Sequence, residues 1–311
     1  EKVEEKQKEI LDSIEYAKRI QATILPSVRV VKKYLDDSFI LYLPKDIVAG
    51  DFYWMESVQL DNVPMEQFDN EINQLIYFAA CDCTGHGVPG AMVSVVCHNA
   101  LNKALKEFGK RTPSEILDKV AELVIEDFNK NAEDNDEIKD GMDASLCALD
   151  TDTGRLQWAG ANNPLWLIRH GRHADSDDYR NDSASSKIEN EAMPTANFGK
   201  IAGRARNDER ELIETKADKQ PVGRSDERHP YTNHEFQLEK GDVIYLITDG
   251  YADQFGGKKN SKFQKKQLKE LLFSMHQLPM DVQRNKLYEA FISWRGENEQ
   301  VDDVCIIGVR I

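Results

Sequence analysis

Long apolar runs are missing from this chain of 311 residues. The longest stretch without charge, residues 83–102, is broken by Gly85, Gly87, Pro89 and Gly90 and carries two histidines, His86 and His98. A membrane-spanning helix needs about 20 mostly apolar residues, so none is expected. The start (EKVEEKQKEI) is polar and charged and lacks the apolar centre of a secretory signal. It opens on Glu1 instead of Met, and the expectation is a piece of a longer chain. Cysteine is scarce and odd in number: 81, 83, 97, 147 and 305. Most lie in apolar runs, which points to reduced, buried thiols and a cytoplasmic setting. Cys81-x-Cys83 has the wrong spacing for a zinc ribbon or a redox pair. Basic charge is also short, with 40 Lys and Arg against 55 Asp and Glu, a net charge of −15. A nucleic-acid partner is therefore not expected. No Walker glycine loop is present. Gly85, Gly87 and Gly90 match G-x-G-x-x-G, but no acidic residue follows about 20 positions on at a strand end, so dinucleotide binding is rejected.

Apolar residues make up 40% of the chain, enough for a sizeable core, and the length fits one large domain or two small ones. Residues 1–25 read as a helix that Pro26 stops. Val3, Ile10, Ala17 and Ile24 recur every seven residues, with Ile14 on the same seam. Two readings stay open: a short coiled coil with a second copy, or an amphipathic helix lying on its own domain. From residue 26 onward the chain reads as one domain. Strands are expected at 39–43, 52–58, 75–81, 144–149, 156–159, 165–169, 243–248 and 304–311, from apolar runs and alternation. Helices are expected at 91–108, 113–129, 267–276 and 282–294, the second with Thr112 as N-cap. Residues 170–220 are polar and read as an insertion. The absence of a strict βαβ order favours an α+β layered fold.

The informative feature is where the aspartates fall. Asp51 directly precedes a strand. Asp82 ends the run through Cys81, and Asp249 ends the run through Thr248. Asp302 and Asp303 open the last strand. Each alone has a plain structural reading: a turn dipeptide, a helix cap or a polar strand start. Together, strand ends could converge and hold several carboxylates close, which is costly unless cations neutralise them. With oxygen donors and no Cys/His array at zinc spacing, the metal of choice is Mg²⁺ or Mn²⁺.

The ordered segments Val48-Ala-Gly-Asp-Phe-Tyr-Trp54, Cys81-Asp-Cys-Thr-Gly-His-Gly-Val-Pro-Gly-Ala91, Thr248-Asp-Gly-Tyr-Ala-Asp253 and Val301-Asp-Asp-Val304 resemble the PPM-type metal-dependent serine/threonine phosphatases, in particular the bacterial SpoIIE/RsbU-like branch. Gln21-Ala-Thr-Ile-Leu-Pro26 resembles that branch's junction of helix and domain. The resemblance implies two stacked antiparallel β-sheets flanked by helices, an α-β-β-α sandwich preceded here by the N-terminal helix. It implies Asp82 bridging two Mn²⁺ or Mg²⁺ ions, the backbone carbonyl of Cys83 on one of them, and Asp249 and Asp302 on the other. Asp51 would act largely through bound water. Asp82 and Asp249 would act in catalysis through metal-bound water, a bridging hydroxide attacking phosphorus in line. Asp140 and Asp143 are candidates for a third ion, with a turn before a strand as the equal alternative. Two residues separate Asp82 from Gly85-His86, more than in eukaryotic members, which gives His86 a loop-bracing role. The eukaryotic phosphate-binding arginine has no counterpart; Lys45 is the nearest cation.

The activity implied is hydrolysis of phosphoserine or phosphothreonine in a signalling protein, of the anti-sigma-factor-antagonist type. An upstream sensor would act through the N-terminal helix and its dimer geometry. Two rivals are a silent domain that keeps the fold for binding, and a metal hydrolase of small phosphate compounds.

Overall fold

The computed structural model describes residues 2–59, 74–130, 140–170, 210–223, 225 and 227–311. In chain order these form α1 (Lys2–Ile24), α2 (Val28–Tyr34), β1 (Ser38–Leu43), β2 (Phe52–Gln59), β3 (Gln74–Cys83), α3 (Gly87–Lys106), α4 (Pro113–Asn129), β4 (Gly141–Asp150), β5 (Arg155–Ala161), β6 (Leu165–His170) and β7 (Arg210–Thr215). They continue with β8 (Val222–Gly223), β9 (His234–Gln237), β10 (Val243–Ile247), α5 (Gly250–Asp253), β11 (Phe255–Gly256), β12 (Ser261–Lys262), α6 (Lys265–Met275), α7 (Met280–Arg295) and β13 (Val304–Arg310).

Two antiparallel sheets carry the fold. One runs β1-β13-β10-β6-β7, the other β2-β3-β4-β5-β9, with β8 paired to β4. Side-chain alternation sorts each strand into two faces. In β3, Ile76, Phe78 and Ala80 join a core shared with Ile244, Leu246, Ile307 and Val309 of the other sheet. Their neighbours Tyr77, Ala79 and Cys81 pack instead with Cys97, Leu101, Ile116 and Val120 of α3 and α4. Val243, Tyr245 and Ile247 likewise face Leu268, Leu272, Leu287 and Phe291 of α6 and α7. Because both faces of the central strands are covered, they read as continuous apolar runs. The layers are α-β-β-α, as the resemblance implied.

Local signals explain most element boundaries. Thr112 caps α4 through a capping box with Glu115, and Pro113 opens the helix, where its missing N–H costs nothing. Several elements were not expected, among them α2, β7 and β9; the others, β8, α5, β11 and β12, are two to four residues long. α2 is seven residues long and buries only Val31, too short to show a period. β7 lies inside the polar stretch 170–220 and pairs along its length with β6, so that stretch is not an insertion throughout. Gln220, at its end, is buried at 2% exposure. The rest of the expected insertion, 171–209, lies outside the described residues. β9 is a polar edge strand on β5. Among the described residues no helix is long and apolar enough to cross a membrane.

Candidate metal centre

The site forms where strands of both sheets end. The inward row of β3 continues to Asp82, whose cross-strand partner on β4 is Asp143. β2 begins with the pair Phe52–Cys81, which puts Asp51, one residue earlier, opposite Asp82. From the other sheet, Asp249 stands two residues past the end of β10, and Asp302 and Asp303 lead into β13. Carboxylates from five chain segments thus meet at one end of the space between the sheets.

Their protonation reports the crowding. Burial, then the negative charges of Asp249, Asp143 and Asp302, push Asp82 up to about 8; a hydrogen bond with Asp51 opposes the rise. Asp51 is held well above the usual carboxylate range by burial and then by Asp82, against a hydrogen bond from Thr248. Burial, Asp253 and Asp302 raise Asp249, while Lys265 and Lys262 pull it down. Asp143 is raised by burial first; the Asn162 amide, donating at 2.8 Å, and Lys265 oppose. A cluster in which each carboxylate disfavours the ionisation of the others is completed by protons or by cations.

The aspartate pair before β13 divides its work. Asp302 turns its charge toward Asp82 and Asp249. Asp303 is 2% exposed and accepts N–H groups from Lys45 at 2.7 Å, Gly50 at 2.7 Å and Asp51 at 3.4 Å. It ties the loop before β2 to the end of the other sheet. Sequence reasoning gave Asp303 no such role; the signal was a second aspartate beside a buried strand. Lys262 and Lys265 were missed too, since nothing in their sequence surroundings links them to the aspartates. Lys262 also pairs with Asp253 at 2.9 Å.

Two glycines allow the segments to close on each other. A methyl at Gly50 would collide with the Gly85 carbonyl, and one at Gly250 with the Asp303 carbonyl and the Asp302 side chain. Gly250→Ala is therefore expected to cost roughly 1–3 kcal/mol through forced displacement. A thermal melt by circular dichroism checks this; an unchanged midpoint would contradict the close approach.

The other expected residues fall as follows. The Cys83 thiol packs in the core with Cys97 and burial pushes it up, so it does not serve as a donor. The Cys83 carbonyl faces Gly50, 3.2 Å from where a Cβ there would sit. Lys45 is half-buried, with its main chain held by Asp303. His86 Nδ1 lies 2.9 Å from Asp46 Oδ2, joining the loop after β3 to the loop before β2. Asp140 precedes β4 and its backbone packs on Gly223; it is not among the strongest charges on Asp82 or Asp249.

A divalent cation suits this donor set. The donors are hard oxygens. The Asp51 Oδ2 atom is buried without a hydrogen-bond partner, a costly state for a polar atom unless something else engages it. Among the described residues no three Asp, Glu, His or Cys side chains close on one point.

Comparison with known proteins decides the family. The model described as stage II sporulation protein E (SpoIIE) matches residues 73–184 and 189–311. The chain belongs to the SpoIIE family. Its structure matches the SiaA-PP2C domain of Pseudomonas aeruginosa with a TM-score of 0.71 and 26% identity, covering 98% of each chain. It matches the PP2C phosphatase domain and regulatory fragment of SpoIIE from Bacillus subtilis with a TM-score of 0.55 and 16% identity, over 88% of this chain and 63% of that one. The RsbU and RsbW domains of a Mycobacterium tuberculosis protein match with a TM-score of 0.52 and 18% identity, over 88% and 59%. The comparison with curated protein sequences returned no match. As a SpoIIE-family chain with a PP2C fold, this is a phosphatase of the PPM type, a family that depends on Mn²⁺ or Mg²⁺.

Proposed function

We propose that the chain is a Mn²⁺- or Mg²⁺-dependent protein phosphatase that hydrolyses phosphoserine and phosphothreonine in bacterial signalling. The observation that carries this reading is the meeting of Asp51, Asp82, Asp249 and Asp302 at one end of the two sheets. Asp82 would be shared by two ions, the Cys83 carbonyl would help hold one and Asp249 and Asp302 the other, and Asp51 would act largely through bound water. Asp143, which shares the strand pair with Asp82, is a better candidate than Asp140 for a third. When bound, such ions supply a water activated at neutral pH and polarise a phosphoryl oxygen.

The chain's own groups then have defined tasks. Asp82 and Asp249 would hold the ions and so act in catalysis through metal-bound water. Asp303 fixes the loop that carries Asp51. Lys262 and Lys265 temper the negative field that would repel a phosphate. Lys45 remains the candidate for the phosphate itself. A protein substrate of the anti-sigma-factor-antagonist type is supported by the likeness to domains called RsbU and RsbW. Hydrolysis of a phosphoserine peptide and of a nucleotide, each with Mn²⁺, tests the reading. Preference for the peptide supports it; preference for the nucleotide favours a small-phosphate hydrolase, and no turnover of either favours a silent binding domain.

The N-terminal helix would join two copies under control of an upstream sensor. Val3 and Ile10 on its seam are 79% and 60% exposed, an apolar line that a second helix would cover. Ile10→Asp with Ile14→Asp is expected to halve the mass seen by light scattering; an unchanged mass would contradict pairing along this seam.

A further inference from the structure

Positive charge is scarce in this chain, yet six lysines stand between Asp253 and Glu270 with no acidic residue among them: Lys258, Lys259, Lys262, Lys265, Lys266 and Lys269. Lys258 and Lys259 form the tip of the β11–β12 hairpin, Lys262 ends β12, and the other three lie in the first five residues of α6. All but Lys269 are exposed. Lys262 pairs with Asp253 at 2.9 Å and Lys269 with Glu214 at 3.0 Å. Among the described residues the other four form no ion pair. The row begins at the metal centre. Asp249, raised by burial first, is pulled down by Lys265 and Lys262, and the charge of Lys265 also reaches Asp143.

Local stability does not account for these lysines. A helix start favours acidic side chains and a side-chain cap. α6 has neither: Lys265 and Lys266 open it, and its N-cap, Gln264, makes no side-chain cap bond. Asn260 and Gln264 hold φ at 46° and 73°, a region costly for residues other than glycine. The surrounding fold imposes these conformations. The N–H groups of Gly257, Phe263 and Gln264 donate to the carbonyls of Trp294 at 2.8 Å, Gln254 at 2.9 Å and Ala252 at 2.7 Å. Asn298 Nδ2 donates to Asn260 Oδ1 at 2.9 Å, and the buried Phe263 ring packs edge-on against Tyr251 and Trp294. The hairpin is thus a fixed platform that holds like charges side by side. On the same platform Phe255, cross-strand from Lys262, is 39% exposed. An exposed ring among lysines suits a polypeptide better than a free anion, since aromatic side chains anchor protein interfaces.

We propose that the β11–β12 hairpin and the start of α6 form a docking surface for an acidic polypeptide: the Asp- and Glu-bearing surroundings of the phosphoresidue that the metal centre hydrolyses. The surface abuts the metal centre, so what it meets is the carrier of the reacting phosphate. On a chain of net charge −15, these lysines attract an acidic partner that the rest of the surface would repel. The proposal rests on the reading of the chain as a protein phosphatase.

The test compares two phosphoserine peptides, one flanked by Asp and Glu and one by Lys, with p-nitrophenyl phosphate, all in Mn²⁺. The proteins are wild type, the combined variant Lys258→Glu, Lys259→Glu, Lys266→Glu, and Lys240→Glu, which precedes the far end of β10. In wild type, kcat/KM is expected to be about tenfold or more higher for the acidic peptide. The gap should shrink at about 0.5 M salt, where exposed charges are screened. The combined variant is expected to lose or invert the preference, with p-nitrophenyl phosphate turnover within about twofold of wild type; Lys240→Glu should keep the preference. Equal rates on the two peptides in wild type, a preference insensitive to salt, or a combined variant that keeps it would overturn the proposal. So would wild type that hydrolyses p-nitrophenyl phosphate and neither peptide. The salt comparison uses wild type alone and decides the matter even where the variant fails to fold. Wild type that hydrolyses none of the three compounds would instead overturn the phosphatase reading on which the proposal stands.

Discussion

Asp82→Asn is expected to lose Mn²⁺-dependent hydrolysis of p-nitrophenyl phosphate by roughly 10³-fold or more, the several kcal/mol that shared activation of water and phosphate represents. The reason lies in its position. It lies in the last pair of residues of β3, opposite Asp51 and paired with Asp143, and it also feels Asp249 and Asp302 from the other sheet. No other side chain in the site combines these relations. An amide keeps the shape but loses an oxygen donor and the charge. The fold should survive, because the substitution removes a like charge from a crowded cluster. Without metal, the variant is expected to melt no lower than wild type at pH 8. Unchanged turnover would refute the bridging role; an unfolded variant would show that Asp82 holds structure instead.

Metal-free protein is expected to lose stability as pH rises. Asp82 is pushed up to about 8, and Asp51, Asp143, Asp249 and Asp303 are also raised. In the unfolded chain these carboxyls ionise near their ordinary values, around 4. Between those values and the raised ones the native state holds more protons than the unfolded state, so stability falls with increasing pH. The contribution is complete below about pH 4 and lost as pH passes through the native values, which for Asp82 is near 8. Each pH unit over which one extra proton is held corresponds to about 1.4 kcal/mol, and each kcal/mol to roughly 2–4 °C in a chain of this size class. A drop of about 5 °C or more in melting temperature from pH 5.5 to pH 8 is expected in chelator. Mn²⁺ should reverse it, with a larger rise at pH 8 than at pH 5.5, because metal and protons compete for the same oxygens. A flat or rising profile in chelator would contradict the crowded cluster.

Much of this was legible in the sequence because strong local signals mark it. The runs at 75–81 and 243–247 are apolar on both faces, and such strands have little alternative but the centre of a sandwich. An aspartate at the end of each run is conspicuous for the same reason. The Thr112–Glu115 box marks the start of α4 with its own chemistry. What escaped depends on partners far along the chain. β7 and β9 are polar edge strands that exist because β6 and β5 offer a free side. Asp303 acquires its role from N–H groups more than 250 positions away. Lys262 and Lys265 matter only because the turn after α5 brings them to Asp249. Hydrophobic period and turn chemistry are local properties, whereas a shared carboxylate is a property of the assembled sheet ends.

The measurement that bears most directly on the central claim is calorimetric titration of the wild-type chain with Mn²⁺ at pH 7, repeated in buffers of different ionisation enthalpy. Binding of about two ions, as a bridged pair requires, together with a buffer-dependent heat that reveals protons released from the aspartates, is the result expected. Absence of binding, or binding without proton release that Asp82→Asn leaves intact, would contradict the assignment of this cluster as the metal centre of a phosphatase.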